Sequence, residues 1–260
     1  DFKRRIRATT EFGLQYNYQM RPEFTRIVAS AGWSYKWGVQ QQRSQHRIDL
    51  LDINYLYMPS IDQTFKEDYL EKDENYILKY NYEDRFIVRT GYSYIYNSAG
   101  RALMNNSGIG NSYTIRLNFE SAGNLLYAVA KLGGMKKNAS GEYTLLNIPF
   151  AQYLKGDFDF AKNLVIDNRN SLAFHFGAGI AIPYGNATML PFEKRYFSGG
   201  ANSVRGWSVR DLGPGSFPGD NNFMNQSGDI KLDASIEYRT RLFWKFRGAL
   251  FVDAGNIWTI

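Results

Sequence analysis

Strict alternation of apolar and polar side chains over long stretches is the feature that most constrains this chain. Residues 6–20 carry apolar, aromatic or β-branched side chains at even positions, whereas Glu11, Gln15 and Asn17 lie at odd positions between them. Residues 230–242 repeat the pattern. A period of two residues is that of a β-strand, in which successive side chains point to opposite faces. The chain is therefore predicted to be built from strands with one apolar and one polar face.

Nine such stretches are predicted, separated by segments rich in turn-forming residues. They are residues 6–20, 27–37, 46–57, 86–96, 113–120, 143–160, 172–182, 230–242 and 246–258, of which the third, sixth and ninth alternate less regularly. Strands of about ten residues or more suit a tilted crossing of a bilayer. The sequence holds no run of about 18 consecutive apolar residues, so a transmembrane helix is excluded.

A soluble sandwich or a lipocalin-like barrel would show the same period, and two features favour a membrane barrel instead. The apolar faces are rich in Tyr and Trp within a chain that is 16% aromatic, as in the aromatic girdles at membrane interfaces. The opposite faces carry Arg, Lys, Asp and Glu in mid-strand, which suits a water-filled lumen. The predicted fold is an all-β, antiparallel transmembrane β-barrel.

Several functional classes are excluded or disfavoured by the residues present. Cysteine is absent, which removes disulfides, zinc clusters and thiol catalysis, and the net charge of +6 comes from scattered basic residues rather than from runs that would bind nucleic acid. No nucleophile elbow or phosphate-binding loop occurs. His46 and His175 are far apart in sequence, and Glu120, Asp157 and Asp159 are predicted to line the lumen. Neither an enzyme nor a cofactor or metal site is predicted.

The connection from Pro183 to Gly228 is too long for an ordinary loop and carries many aromatic residues. These side chains would be unfavourable in water, so the segment is predicted to fold back into the lumen and pack there. Its turns are predicted to depend on Gly199, Gly200, Gly206, Gly213, Pro214 and Gly215.

Three motifs in the C-terminal third resemble the BamA/TamA superfamily of bacterial outer-membrane assembly factors. The first spans residues 192–200 and continues through Val204-Arg205-Gly206-Trp207 and Leu212-Gly213-Pro214; it is similar to the sixth extracellular loop of that family. The other two, residues 235–239 and 251–258, resemble the two strands that follow the loop. Weaker stretches at residues 18–24 and 120–126 resemble the TamL-like branch.

The resemblance implies that the loop arginine enters the barrel and contacts acidic residues of the inner wall. The matching residues are Arg205, Glu237 and Asp253. Strand parity independently places both acids on polar faces, and a hairpin that turns near Lys245 would bring them opposite or diagonal to each other, within about 5 to 8 Å between Cβ atoms. Such close acids repel each other unless a cation lies between them, and the planar guanidinium suits both.

The resemblance also implies a sixteen-stranded barrel, with this chain, residues 1–260, forming a partial barrel domain of the fifth to thirteenth strands. Upstream POTRA domains and the last three strands would lie outside the chain. The implied partners are the outer-membrane bilayer with its lipopolysaccharide, unfolded outer-membrane protein clients, and accessory lipoproteins or periplasmic subunits. The implied activity is the insertion or translocation of client proteins by an integral outer-membrane protein, without nucleotide.

Three alternative functions remain open at this point: a secretion pore for one large partner, a passive porin-type channel, and the barrel anchor of an upstream hydrolase. The sequence upstream of Asp1 would discriminate among them. Several POTRA repeats favour the assembly factor, one or two favour the secretion pore, and a Gly-x-Ser-x-Gly domain favours the hydrolase.

Overall fold

A computed structural model describes residues 7–39, 43–70, 79–80, 82–99, 110–216 and 226–260. Its main feature is a single large antiparallel sheet. Within the described ranges, no helix is long and apolar enough to cross a membrane.

Within the described residues the large sheet consists of nine strands, and a short separate hairpin adds two more. In chain order the strands are β1 (Arg7–Met20), β2 (Phe24–Val39), β3 (Ser44–Ile61), β4 (Arg85–Asn97), β5 (Ser112–Ala122), β6 (Thr144–Leu145), β7 (Ile148–Pro149), β8 (Tyr153–Val165), β9 (Asn170–Pro183), β10 (Ile230–Arg241) and β11 (Arg247–Trp258). The order in the large sheet is β1-β2-β3-β4-β5-β8-β9-β10-β11, while β6 pairs with β7. The prediction of nine long antiparallel strands is confirmed.

The two faces of the sheet differ as the alternation predicts. The apolar face is open to the surroundings: Phe12 and Leu14 on β1 are 76% and 89% exposed, and Ile236 on β10 and Leu250 on β11 are exposed as well. A soluble protein would rarely leave so large an apolar surface uncovered. The face is therefore suited to contact lipid.

The buried apolar core is small and lies at one end of the sheet, beneath the connection between β9 and β10. It consists of Ile87, Ala122, Ala151, Tyr153, Ala181, Leu190, Tyr196 and Ile257. Ala122, Tyr153, Ala181 and Ile257 lie at or near the ends of β5, β8, β9 and β11, which all meet at this end. The core therefore joins the loop to the strand ends and does not run through a closed interior.

One β-bulge in β3 changes which residues face the lumen. Asp49 pairs with Gly91 and Asp52 pairs with Arg89, so two residues of β3, Leu50 and Leu51, lie opposite a single residue of β4. An extra residue shifts the alternation by one position. Asp49 and Asp52, which have opposite parity in the sequence, consequently project to the same polar face, and this explains the less regular pattern of residues 46–57.

Two parts of the sequence prediction are wrong in detail. Residues 143–160 are not one strand: they contain the small β6–β7 hairpin and the beginning of β8, which continues to Val165. The helix Asn124–Leu132 was not predicted, because its single apolar stripe is short. The helix begins after Gly123, whose φ of 74° and close contact with the carbonyl of Ala151 leave no room for a side chain.

The connections at the two ends of the sheet differ in length. One end, here called the long-loop end, carries the connections 62–84, 123–152 and 184–229 and the short connection 21–23. The other end, called the short-turn end, carries the tight connections 40–43, 166–169 and 242–246 and one longer connection, 98–111. In membrane barrels the longer loops are extracellular and the short turns are periplasmic, which gives the sheet an orientation.

Candidate functional site: a loop held in the lumen by Arg205

The connection between β9 and β10, here called the lumen loop (residues 184–229, described at 184–216 and 226–229), lies against the polar face of the sheet. Its backbone is tied together by isolated bridges between Tyr196 and Gly228 and between Ser198 and Leu212. The Tyr196 hydroxyl donates a hydrogen bond of 2.5 Å to the carboxylate of Asp157 on β8. The predicted insertion of this loop into the lumen is confirmed.

The position of the Tyr196 ring also requires a glycine on the neighbouring strand β9. Its ring lies so close to Gly179 on β9 that a Cβ atom there would be 2.6 Å from the ring. Burial, followed by the hydrogen bond to Asp157, raises the pKa of the Tyr196 hydroxyl, which therefore stays protonated and remains a donor. This contact fixes the start of the loop on β8 and β9.

The loop glycines fall into two groups. Gly199, Gly200 and Gly213 adopt φ values of 98°, 90° and 83°, and a Cβ at each would lie within 2.0 to 2.7 Å of a neighbouring atom. The peptide bond between Gly213 and Pro214 is cis. Gly206 is different, since it has no positive φ and a Cβ there would meet nothing within 4 Å. Gly206 does lie in a turn, which the Trp207 N–H closes on the carbonyl of Val204 at 3.2 Å, but this turn does not require glycine.

The guanidinium of Arg205 lies between the two acids that strand parity placed on the polar face. Its Nε and Nη2 atoms donate to the two carboxylate oxygens of Asp253, at 2.8 and 2.7 Å, and Nη1 donates to Glu237. The backbone N–H of Arg205 donates to Asp253 as well, at 3.0 Å. The Asp253 side chain is only 4% exposed and the Arg205 side chain 25%.

The positions of the two acids follow from the register of the β10–β11 hairpin. Glu237 pairs with Phe251 and Ser235 pairs with Asp253, so the acids are diagonal neighbours on adjacent strands. Asp253 lies five residues from Trp258 at the long-loop end, roughly 15 to 20 Å along the strand. Arg205 therefore reaches deep into the lumen, and its charge separates two acids that would otherwise repel each other.

The electrostatic balance of the site keeps Arg205 charged. Hydrogen bonds to Asp253, then to Glu237, raise the pKa of the guanidinium above its usual value. Bidentate pairing of this kind is stronger and more directional than a single contact from an ammonium group.

Three further residues support the cluster and were not singled out by sequence reasoning. Phe251 lies on the polar face, and its ring centroid is 3.5 Å from the Arg205 guanidinium carbon, which adds a cation–π contact. Arg239 donates to Glu237 at 2.5 Å. Gly255 leaves space for the buried Val204, since a Cβ there would lie 3.0 Å from the Val204 side chain. Phe251 could have been noticed in the sequence, because it is an aromatic residue at a position that belongs to the polar face of its strand.

Trp207, the last residue of the Val-Arg-Gly-Trp motif, lies outside the charge cluster. The residue is 48% exposed, and its backbone carbonyl accepts a hydrogen bond of 2.9 Å from the N–H of Gly200. Its contribution to the site is therefore through the loop backbone rather than through contact with the acids.

A second charge cluster holds the lumen loop to the other side of the sheet. Lys194 of the loop forms an ion pair of 2.7 Å with Glu120 on β5, which also accepts a hydrogen bond of 3.0 Å from Arg89 on β4. Arg89 pairs in turn with Asp52 and, at 3.6 Å, with Asp49, the two acids that the β3 bulge brings to one face. Sequence reasoning placed Glu120 in the lumen but missed its partners.

A third contact extends the loop to β2, where Glu193 pairs with Arg26 at 2.6 Å. The loop thus contacts β2, β5, β8, β10 and β11 through charged or hydrogen-bonded side chains. A single loop reaches strands so far apart in the sheet because the polar face curves around it.

The histidines and acids considered for catalysis are not assembled into one centre. His175 on β9 contacts Asp159 at 2.5 Å, whereas His46 on β3 bonds the hydroxyl of Tyr92. Asp157 and Glu120 are engaged by the loop, as described above. Across the ranges that the structure describes, no group of three or more His, Asp or Glu residues is placed to hold a metal ion.

A long-stranded antiparallel sheet with an exposed apolar face and a polar face that holds a loop is typical of outer-membrane β-barrel proteins. A family model described as the Omp85 superfamily domain matches residues 3–260. The chain therefore belongs to the Omp85 superfamily, to which BamA belongs, and is part of an integral outer-membrane protein. Members of this superfamily mediate protein insertion or translocation at the outer membrane.

Individual relatives match parts of the chain. The outer membrane protein assembly factor BamA of Neisseria meningitidis serogroup B (strain MC58) is 33% identical over 89 residues, which cover 31% of this chain and 11% of that protein. CdiB from Escherichia coli is a similar solved structure, with a TM-score of 0.44 and 11% identity over 96% of this chain and 39% of CdiB. The solved structure of BamA from Haemophilus ducreyi lacking POTRA domains 1–3 has a TM-score of 0.34 and 15% identity, over 97% of this chain and 58% of that one.

Proposed function

We propose that this chain is the barrel portion of an outer-membrane assembly factor that inserts unfolded client proteins into the membrane without nucleotide or cofactor. The observation that carries the proposal is the lumen loop, which Arg205 fixes to Glu237 and Asp253 and which Lys194 fixes to Glu120. Membership of the Omp85 superfamily supports the same conclusion.

The pinned loop argues against a passive porin. A porin needs an open aqueous channel, whereas this loop brings charged and aromatic side chains to the polar face at five strands of the sheet. A factor that folds other barrels needs instead a stable wall, because client strands add to a sheet edge through backbone hydrogen bonds. The role proposed for the Arg205 cluster is to hold the loop and the β10–β11 wall in one arrangement while clients are inserted.

The rest of the barrel is also part of the proposal. Among the described strands, β1 pairs with β2 and β11 with β10, and neither has a second neighbour in the sheet. An open edge in lipid leaves backbone N–H and C=O groups without partners. We propose that further strands complete a sixteen-stranded barrel, that POTRA domains precede it, and that accessory lipoproteins or periplasmic subunits assist it.

The proposal is tested with the full-length protein in proteoliposomes. An unfolded outer-membrane barrel client is added, and the fraction that becomes folded and protease-resistant is followed with time. Wild type should accelerate insertion over empty liposomes, Arg205→Ala should lose most of that acceleration, and Lys136→Ala, at an exposed position outside the loop, should retain it.

Three results would overturn the assignment. No acceleration by the wild-type protein excludes an insertase. Transfer of one partner across the membrane, without insertion of barrel clients, identifies a secretion pore. A large steady conductance that Arg205→Ala leaves unchanged identifies a passive channel.

A further inference from the structure

The helix Asn124–Leu132, in the connection between β5 and β8, exposes an apolar stripe. Because successive residues of a helix are turned by about 100°, Leu125, Ala128, Val129 and Leu132 fall within one sector of about 100°. Leu125, Val129 and Leu132 are 65%, 58% and 89% exposed, and Ala128 is exposed as well. A helix of this kind normally buries its apolar stripe. The partner of this stripe is therefore not among the residues that the structure describes.

The opposite side of the helix is packed on the rest of the connection. Ala130 is buried, and the ring of Tyr127 contacts the ring of Tyr143 edge to face, with centroids 5.4 Å apart. Tyr143 is held in turn by Asn186, whose side-chain oxygen accepts a hydrogen bond of 2.5 Å from the Tyr143 backbone N–H. These contacts fix the helix with its apolar stripe turned away from the protein.

The contacts of Asn124 place the start of the helix on the lipid-facing side of the sheet. Its side-chain N–H donates a hydrogen bond of 2.7 Å to the Ser121 hydroxyl, and its side-chain oxygen accepts one of 2.6 Å from the Tyr184 hydroxyl. Ser121 pairs with Leu154 on β8, and Leu154 pairs with Ile182 on β9. Leu154 and Ile182 are both exposed on the apolar face. The helix therefore begins at the edge of the lipid-facing surface, at the long-loop end.

Two lysines are held beside the helix. Lys131 lies in its last turn, outside the apolar stripe. The ammonium group of Lys137 lies 5.2 Å from the centre of the Tyr143 ring, which itself packs on the helix. Lysines outnumber acids in this connection, whose one acidic residue is Glu142. The surroundings of the apolar stripe are therefore positively charged and favour an anionic partner.

We propose that this helix lies in the outer leaflet of the outer membrane, with its apolar stripe among the acyl chains and with Lys131 and Lys137 on lipid phosphates. An apolar helix face beside cationic side chains is typical of helices that lie flat in a membrane interface. The long loops are extracellular, so the helix reaches the outer leaflet, where the lipid A part of lipopolysaccharide offers both acyl chains and phosphate. The inference rests on the outer-membrane location and not on the proposed insertion activity, so it stands or falls separately from that activity.

The test uses the full-length protein in phosphatidylcholine nanodiscs that contain a small fraction of lipid A. A benzophenone amino acid replaces Ala128, and the lipids to which it crosslinks under light are identified by mass spectrometry. Lipid adducts should form, and lipid A should be enriched among them relative to its share of the bilayer. The double variant Lys131→Gln/Lys137→Gln should reduce this enrichment by about fivefold per lysine removed, because each cation near an anionic bilayer surface strengthens binding by about that factor.

Two other positions provide matched controls for the same benzophenone group. At Ile236, on the lipid-facing side of β10, it should crosslink to lipids in the proportions of the bilayer. At Ser140, an exposed position in the same connection beyond the helix, it should give no lipid adducts. The first control separates recognition of phosphate from simple contact with lipid, and the second separates the helix from the rest of its connection.

Three results would overturn the proposal. Absence of lipid adducts from position 128 would show that the helix stays in water. Lipid adducts without enrichment of lipid A, or with an enrichment that the double lysine variant leaves unchanged, would show that the helix enters the membrane without recognising phosphate. Crosslinking from position 128 to a protein in intact cells, in place of lipopolysaccharide, would identify the stripe as a surface for a protein partner.

Discussion

Replacing Arg205 with alanine is the most informative perturbation of this barrel, because it leaves one acid without compensation. Asp253 is almost fully buried and would keep only a neutral partner within the cluster, the backbone N–H of residue 205, which donates a hydrogen bond to it. Glu237 would still be bound by Arg239. The substitution therefore affects the two acids unequally.

The expected magnitude follows from this difference. Removing one partner of a buried ion pair destabilises a protein by about 3 to 5 kcal/mol. The Arg205 side chain is partly exposed to a hydrated lumen, which screens the pair, so we expect a loss of about 2 kcal/mol in the free energy of unfolding. Arg205→Lys should lose about half as much, because lysine cannot form the bidentate contact.

The assay is a double-mutant cycle on the full-length barrel. The free energy of unfolding in urea is measured from the loss of the heat-modifiable band of folded protein on a gel. Asp253→Asn in the Arg205→Ala background should recover about 1 kcal/mol, since it removes the uncompensated charge. Glu237→Gln in the wild-type background should cost less than 1 kcal/mol. If the effects of Arg205→Ala and Asp253→Asn simply add, the two side chains are not coupled, and the argument for a charge-locked loop is wrong.

Three further perturbations test the loop and the turns. Gly255→Ala should destabilise the barrel by about 1 to 3 kcal/mol, because the added methyl group would press on the Leu232 carbonyl of β10 and on the buried Val204 of the loop. Gly206→Ala should change stability by less than about 0.5 kcal/mol, and both effects are measured by urea unfolding. Glu120→Gln should leave two facing cations and so speed tryptic cleavage of the loop, with unchanged cleavage arguing against that anchor. A hydrogen bond from the Asn170 side chain, together with backbone hydrogen bonds, lowers the pKa of Asp167. Asp167 therefore stabilises the β8–β9 turn above the ordinary carboxyl pKa, and this stabilisation is lost as the pH falls through the lowered pKa. Amide exchange in the turn should show the loss, and Asp167→Asn should abolish its pH dependence.

The strands were predictable because a sheet with one face in lipid and the other in water requires an apolar side chain at every second residue. That constraint is strong along β1 and β10, where the alternation is unbroken, and the predicted bounds there agree with the structure to within a residue. It does not apply to the helix Asn124–Leu132, which is not part of the sheet. It is misleading where a strand contains an extra residue, as in β3, because the parity changes at a position that no single residue marks.

The candidate site was predictable only in part, for a related reason. Parity gives the face of a strand residue, so Glu237 and Asp253 could be placed together once the hairpin was known. Parity does not predict where the side chain of a loop residue points. The contact between Lys194 and Glu120 joins segments far apart in sequence, and it depends on the path of the loop through the lumen. Contacts of this kind between a loop and the wall can be identified only in a three-dimensional structure.

The bulge in β3 has a consequence for how such barrels diverge. Asp49 and Asp52 are three residues apart and still share a face because the bulge absorbs one extra residue, and deleting Leu50 would leave them two residues apart in a regular strand, again on the same face. The anchor around Arg89 is thus compatible with two lengths of this strand. Gain or loss of the extra residue among descendants of a common ancestor would leave the charge cluster intact, although counting residues along the strand would assign one of the two acids to the wrong face.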